Sequence, residues 1–453
     1  MTPAPDLPRL RRRAPCTLPI GVLQFGQGNF LRGFLGWMLQ EYNVRCEAAL
    51  GVVVVRPTSR SSAPLLDTQD GLYTTVLRGV DAQGQVQTQI RRVACVQREL
   101  DLAHHFGDFL ALARSPDLRF FVSNTTEAGI AINHTDRLDD APPSSFPAKL
   151  ARWLWERYCH FDGDHARGVA VLPCELIEAN GTALRAAVQH YVARWQLPTD
   201  FCAWLDAACA FCNTLVDRIV TGFPTDEIAA LQTQLGYRDD FLVAGELYHL
   251  WAIQGPAWVA QALPLHQAGL NVQWVQDLAP LRARKVAILN GAHTLLAAVA
   301  RPLGLDSVHS ALADADVANF LTHTLHTEVL PSLPGPAPAL QTYTSEVLRR
   351  FRNPYLHHAL DAIALNMESK CLTRLWPALQ SHQQRTGVWP VGLVLGVALA
   401  RRALKRTQQS TALLDAQVAQ SPGLESALQT ACARVQALGL RAALVTIEGG
   451  TTP

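Results

Sequence analysis

Lysine is the scarce residue of this 453-residue chain. Only Lys149, Lys285, Lys370 and Lys405 appear among its 39 basic side chains, and arginine supplies the rest. A lysine inside a helix therefore draws notice, since arginine ordinarily serves solubility here. Net charge is equally sparse, at +1, so there is no general electrostatic case for nucleic acid or an anionic membrane as a partner. Long apolar runs are missing too. The most suspicious one, Val391 to Ala400, falls short of the ~20 residues that span a bilayer and ends in Arg401-Arg402. At the N-terminus, Arg9-Leu10-Arg11-Arg12-Arg13 imitates the start of a signal peptide. Pro15, Pro19 and a glycine-rich turn leave no apolar stretch behind it, so residues 1–16 are expected to be a solvated arm. Ten cysteines include Cys209-Ala-Phe-Cys212, but no second pair completes a metal site and no thioredoxin-like context surrounds it. The expectation is reduced, mostly buried thiols in a cytoplasmic protein, with no metal. Internal repeats and low-complexity tracts are absent.

What is present describes a globular protein of two or three domains, 49% hydrophobic and 17% charged. The first clear strand, Ile20 to Phe25, runs into Gly26-Gln-Gly28-Asn29-Phe30-Leu31-Arg32-Gly33 and then a helical stretch to about Tyr42. Strand, glycine turn and helix form the context in which backbone N–H groups approach a pyrophosphate at a helix N-terminus. The third glycine position carries Leu31, so the same stretch also fits an ordinary strand-to-helix turn. Arg32 offers charge to a phosphate. A second strand, Gly51 to Val55, ends in Arg56, where a dinucleotide fold often places the acid that holds the ribose of NAD. An arginine there leans toward the extra phosphate of NADP, or simply marks a strand end facing solvent. Strands at Arg119 to Ser123 and Gly168 to Leu172 lead into Asn124-Thr125-Thr126 and Cys174-Glu175. Strands separated by helical segments argue for a parallel sheet, whose ligand crevice lies at the carboxyl ends of the strands. From Leu176 to about Leu250 the pattern is mainly helical, and Asp217-Arg218 within it fits a surface pair.

After a short strand, Asn271 to Val275, a helix is expected from about Asp277 to Ala300, capped by Asp277 and stopped by Pro302. It carries Lys285, Asn290 and His293. At 100° per residue His293 lies about 80° and Asn290 about 140° from Lys285. One helix then aims an amine, an amide and an imidazole into one sector, groups suited to protonate, polarise and orient at a carbonyl. Taken alone, the spacing also fits a surface lysine and a capped core asparagine. Further on, Arg349-Arg350-Phe351-Arg352-Asn353-Pro354 gathers cations before His357-His358, either as a solvated face or as a receiver for a carboxylate.

Together these pieces resemble the mannitol dehydrogenase family of long-chain polyol dehydrogenases. The matching segments are Gly26-x-Gly28-Asn29-Phe30-x-Arg32, Thr125-Thr126-Glu127-x-Gly129, Val216-Asp217-Arg218, Lys285-x4-Asn290-x2-His293 and Arg350-Phe351-x-Asn353-Pro354. They occur in the family's order and cover roughly residues 17 to 370. The resemblance implies an α/β Rossmann-like NAD-binding domain over 17–276 and a mainly α-helical substrate and catalytic domain over 277–453. It assigns Lys285, Asn290 and His293 to catalysis, and Asp217, Arg350, Arg352 and His357 to the substrate. The cofactor side takes Phe25, Gly26, Gly28, Asn29, Phe30, Arg32, Arg56, Asn124, Thr125 and Thr126. Likeness is strongest to the family's uronate branch, which implies metal-independent hydride transfer between NADH and D-tagaturonate, giving D-altronate. The branch uses NAD(H), against the lean of Arg56. The other readings are a fructuronate reductase, a polyol dehydrogenase, or a non-catalytic dinucleotide-binding protein. The expected partner is a small keto-uronate or aldonate, with no nucleic acid or membrane, on a monomer or small homo-oligomer. Two departures stand out. Glu175-Leu176 replaces the family's Asp-Asn after the cysteine, and Arg282 replaces the acid three residues before the lysine. Beyond about Gly387 the likeness fades and only helices are expected.

Overall fold

The computed structural model describes residues 7–57, 64–81, 83–125, 129–356 and 358–448; Thr126, Glu127 and His357 lie outside them. The chain separates into two compact units. Residues 1–78 and 88–278 make the first, and 279–453 together with the hairpin tip 79–87 make the second. The sequence signalled a change of character near 277 but gave no sign that a short tip would group with the helices.

The first unit is built on six parallel strands: β1 Ile20–Phe25, β2 Gly51–Arg56, β3 Val96–Asp101, β4 Phe120–Ser123, β5 Ala170–Pro173 and β6 Ala210–Phe211. Their order is β3-β2-β1-β4-β5-β6, so the winding reverses between β1 and β4. Both faces of the sheet are covered, which explains the unbroken valines of β2. Val52 and Val54 join one core with Phe34, Met38 and Trp251, while Val53 and Val55 join the other with Phe109, Trp153 and Leu184. Each such side chain contributes about 1.5–3 kcal/mol by leaving water.

Three expectations give way here. The stretch read as helical to about Leu250 is helix only at Asn180–Arg194, Thr199–Ala208 and Ile228–Leu235. Asp217 ends a strand, Asn213–Asp217, that pairs antiparallel with Leu250–Gln254. Its Thr-Leu-Val run is buried, and β-branched packing outweighs the local helical signal. A second sheet containing Tyr73–Val80 and Val86–Val93 was not foreseen, because the latter strand shows mostly polar, exposed residues. Of the N-terminal arm, residues 7–16 are described, and Leu10 and Arg12 anchor that part to the unit although Arg11 and 13–15 are exposed. The Leu10 N–H donates to the Arg238 carbonyl at 2.9 Å, Leu10 is buried, and the Arg12 N–H donates to Asp70 Oδ2 at 3.0 Å.

The second unit is helical. Its core element runs Ala279–Leu303, and 67% of its most apolar window is buried, although length and composition alone would suit a membrane span. It packs against Ala315–Thr324, Leu360–Ala364, Cys371–Leu375 and Val391–Arg406. Gly396 of the last lets Leu295 approach so closely that a Cβ would overlap it. The apolar run from Val391 is thus a core helix. The tail continues as helices Ala412–Ala419, Leu424–Leu438 and Leu440–Glu448, with Arg441 ion-paired to Asp314 at 2.7 Å.

Candidate active site

In the first unit, the loops after β1 and β4 leave the carboxyl edge where the strand order reverses. Gly26 has φ +117°, and a Cβ there would also sit 2.9 Å from the Asn124 carbonyl oxygen, so only glycine serves. Gly28 is the N-cap of a helix running 29–45, has no side-chain cap, and a Cβ on it would meet nothing within 4 Å. An uncapped helix start with open space above it fits a pyrophosphate. Arg32 folds back on the turn, donating to the Gln27 carbonyl at 3.0 Å and to Asn29 Oδ1 at 2.6 Å. Phe30 is half-buried and stacks on Phe34, while the Phe25 ring is fully buried against Phe121 and Phe146. Phe25 therefore has only its backbone to offer a cofactor.

Asn124 is held by a bond from Nδ2 to the Cys174 carbonyl at 2.7 Å. Glu175, which no sequence signal marked as structural, is buried and clamps the same loop. Its Oε1 accepts from the Thr125 N–H at 2.9 Å and hydroxyl at 3.0 Å, and its Oε2 from the Ser123 hydroxyl at 3.1 Å. Burial pushes its carboxyl up from the usual range. Arg56 is not a solvent-facing strand end. Its Nε meets Glu99 Oε1 at 2.9 Å with both side chains buried, and Nη2 donates to the Pro64 carbonyl. A 2′-phosphate would have to compete with Glu99. Asp217 and Arg218 are likewise buried rather than a surface pair. Arg218 donates to the carbonyls of Gly33, Leu247 and Tyr248 and lies 4.0 Å over the Trp37 ring, tying the strand end beside Asp217 to the 29–45 helix.

In the second unit, Lys285–Asn290 forms a π turn inside the core helix, with the Gly291 N–H reaching the Val286 carbonyl five residues back. Such turns are frequent at functional sites. The wider turn brings Asn290 closer to one full turn above Lys285 than the α-helical 140° allows. Lys285 and Asn290 are half-buried, and His293 is 6% exposed. The His293 ring packs 4.3 Å from Phe351 and 4.7 Å from His358. Its Nε2 is buried without a hydrogen-bond partner among the described residues, as is Nδ1 of His358. Burial holds the His293 imidazole well below its ordinary pKa, aided by His358, Arg350, Arg374 and Lys370, so it is neutral at pH 7. Arg350 is buried at the end of the Ala337–Phe351 helix, whereas Arg352 is exposed. The two arginines diverge. His358, Lys370 and Arg374 around His293 were not selected from sequence. Among the described residues, no three His, Cys, Asp or Glu side chains gather as a metal requires.

Comparison with known proteins agrees with this architecture. The family model of the mannitol dehydrogenase Rossmann domain matches residues 20–267, and that of the mannitol dehydrogenase C-terminal domain matches 277–442. The chain belongs to the mannitol dehydrogenase family. Altronate oxidoreductase of Yersinia pestis is 50% identical over 380 residues, 84% of this chain and 79% of the relative. The altronate oxidoreductase of Klebsiella pneumoniae (strain 342) is 48% identical over the same shares. A substrate-free D-sorbitol dehydrogenase shares the fold at TM-score 0.79 and 20% identity, covering 97% of this chain and 98% of that one. Pseudomonas fluorescens mannitol 2-dehydrogenase, in a ternary complex with NAD and D-mannitol, matches at TM-score 0.74 and 18% identity over 98% of each chain.

Proposed function

We propose that this oxidoreductase uses NAD to interconvert D-tagaturonate and D-altronate, with Lys285 as the general acid and base. The observation that carries the reading is the π turn that puts Lys285, Asn290 and a neutral His293 with an unpartnered Nε2 on one helix, the His293 ring being set among Arg350, Lys370 and Arg374. The altronate oxidoreductases at 48–50% identity support the substrate, and the NAD complex of the mannitol 2-dehydrogenase supports the cofactor. Gly26 and Gly28 would hold the pyrophosphate of NADH, which when bound would supply a hydride for the keto carbon.

The chain's own residues do the rest. The alkoxide left by hydride addition needs a proton, and the Lys285 ammonium donates it. Asn290 donates its amide N–H to the carbonyl oxygen as charge develops there. His293, whose imidazole burial and the neighbouring cations hold well below its ordinary pKa, orients a sugar hydroxyl through Nε2. Arg350 faces the carboxylate. Leu176 is 61% exposed and has no side-chain amide to offer, so carbonyl polarisation falls to Asn290. Glu175 beside it serves the Thr125 loop instead. An assay of NADH consumption across D-tagaturonate, D-fructuronate and D-fructose tests the reading. The highest kcat/KM is expected with D-tagaturonate; a preference for D-fructose would overturn it.

A further inference from the structure

We infer that Lys370 and Arg374 are the residues that read the carboxylate of an anionic substrate beside His293, together with Arg350. The inference rests on the proposed keto-uronate activity and names the side chains that would enforce it.

Placement comes first. Lys370 ends the short helix Met367–Lys370, and Arg374 lies on the π turn Cys371–Leu375 that continues it. That turn packs directly on the catalytic helix. A Cβ on Gly291 would be 3.4 Å from the Arg374 carbonyl oxygen, and Arg374 Nη1 stands 3.5 Å from the hydroxyl of Thr294, the residue after His293. Lys370 and Arg374 thus lie in electrostatic range of the same imidazole as Arg350, on a separate part of the chain.

The charge inventory decides what they are for. Both side chains are half-buried, yet neither forms an ion pair among the described residues. The Lys370 ammonium donates to the Ile363 carbonyl at 2.7 Å, and Arg374 has only the long contact to Thr294. Arg350, Arg374 and Lys370 all disfavour a charge on His293, and among the described residues no carboxylate ion-pairs with Lys370 or Arg374. Desolvation lowers the pKa of Lys370 and of Arg374, and on Lys370 the neighbouring Arg374 adds to it. The same unit treats a comparable arginine differently, since Arg401, 17% exposed, is matched by Asp415 and Glu425. Bringing like charges together without a counter-ion is costly, and a bound carboxylate relieves that cost. Arg352, fully on the surface side of its helix end, has no such cost to relieve.

Steady-state kinetics on the full chain with NADH test this, first on the wild type with D-tagaturonate and with D-tagatose, the same ketose bearing a hydroxymethyl group in place of the carboxylate. Preference of the wild type for D-tagatose would sink the keto-uronate activity itself. Given preference for D-tagaturonate, Lys370→Met and Arg374→Met should each raise its KM about tenfold or more, with kcat within about threefold. Lys370→Arg should recover most of the KM. A fall in kcat at unchanged KM, or no effect in the Lys370 series, would overturn the inference while leaving the keto-uronate activity intact. A melting curve of each variant, expected to match the wild type, separates lost binding from lost folding.

Discussion

Cations are handled in opposite ways at two places in the molecule. In the dinucleotide-binding unit, buried arginines are neutralised or saturated from within. Arg56 has Glu99, Arg218 has three carbonyls and a tryptophan face, and Arg157 donates to the carbonyls of Ala113, Ser115, Leu118 and Arg167. In the helical unit, Lys370 and Arg374 stand by a neutral histidine with one oxygen apiece and no carboxylate. The residue types are the same and the physics of desolvation is the same. What differs is where the compensating oxygen comes from: the chain itself in one case, a ligand in the other. An internally matched cation holds the fold in place, and an unmatched one selects what binds.

The contrast is sharpest at Lys285, the proposed general acid, whose role is neither of these. Lys285→Ala should lower kcat by about 10²–10⁴, the usual worth of a placed acid, with NADH binding, followed by fluorescence titration, nearly intact. Near-normal turnover would remove Lys285 from its role. Glu99→Gln would convert a matched arginine into an unmatched one. Unfolding in urea should then show a loss of about 3–5 kcal/mol, typical of stripping one partner from a buried pair. Wild-type stability in that variant would mean Arg56 is already satisfied by its carbonyl partners. On the helical side, Arg350→Met should cost about 2–4 kcal/mol in transition-state binding of D-tagaturonate, measured as kcat/KM. The exposed Arg352→Met should cost under about 1 kcal/mol. Equal losses from the two would erase the distinction between a buried and a solvated arginine at this helix end.

Local order was legible where one physical signal dominated. The apolar strand, the two glycines and the helix after them could be read as a unit, because steric freedom and strand burial are properties of neighbouring residues. The Lys285, Asn290 and His293 spacing was visible for the same reason. Partnerships across long separations were not. Glu99 lies 43 residues from Arg56, Glu175 lies 50 from Thr125, and Arg374 lies 80 from Thr294, and no local pattern announces any of them. The strand ending at Asp217 was missed because its helical surroundings outweighed a five-residue run of its own. Neither reading of Arg56, as a phosphate contact or as a solvent-facing strand end, anticipated Glu99, because a buried ion pair and a solvated arginine look identical in sequence. The π turn was hidden by the assumption of a constant 100° per residue.

That turn sets a phase. A π turn amounts to one extra residue carried inside an α-helix, and it holds Asn290, five residues on, nearer the angle of an α-helical fourth residue, about 40° from Lys285, than the 140° of a fifth. Were the turn to tighten to regular α-structure with every residue kept, Asn290, Gly291 and His293 would swing by about 100° around the axis relative to Lys285. Gly291 would leave the Arg374 carbonyl and His293 would leave the ring of Phe351. Those contacts oppose the tighter turn, and the angle between the lysine and the other two groups depends on the helix staying wide.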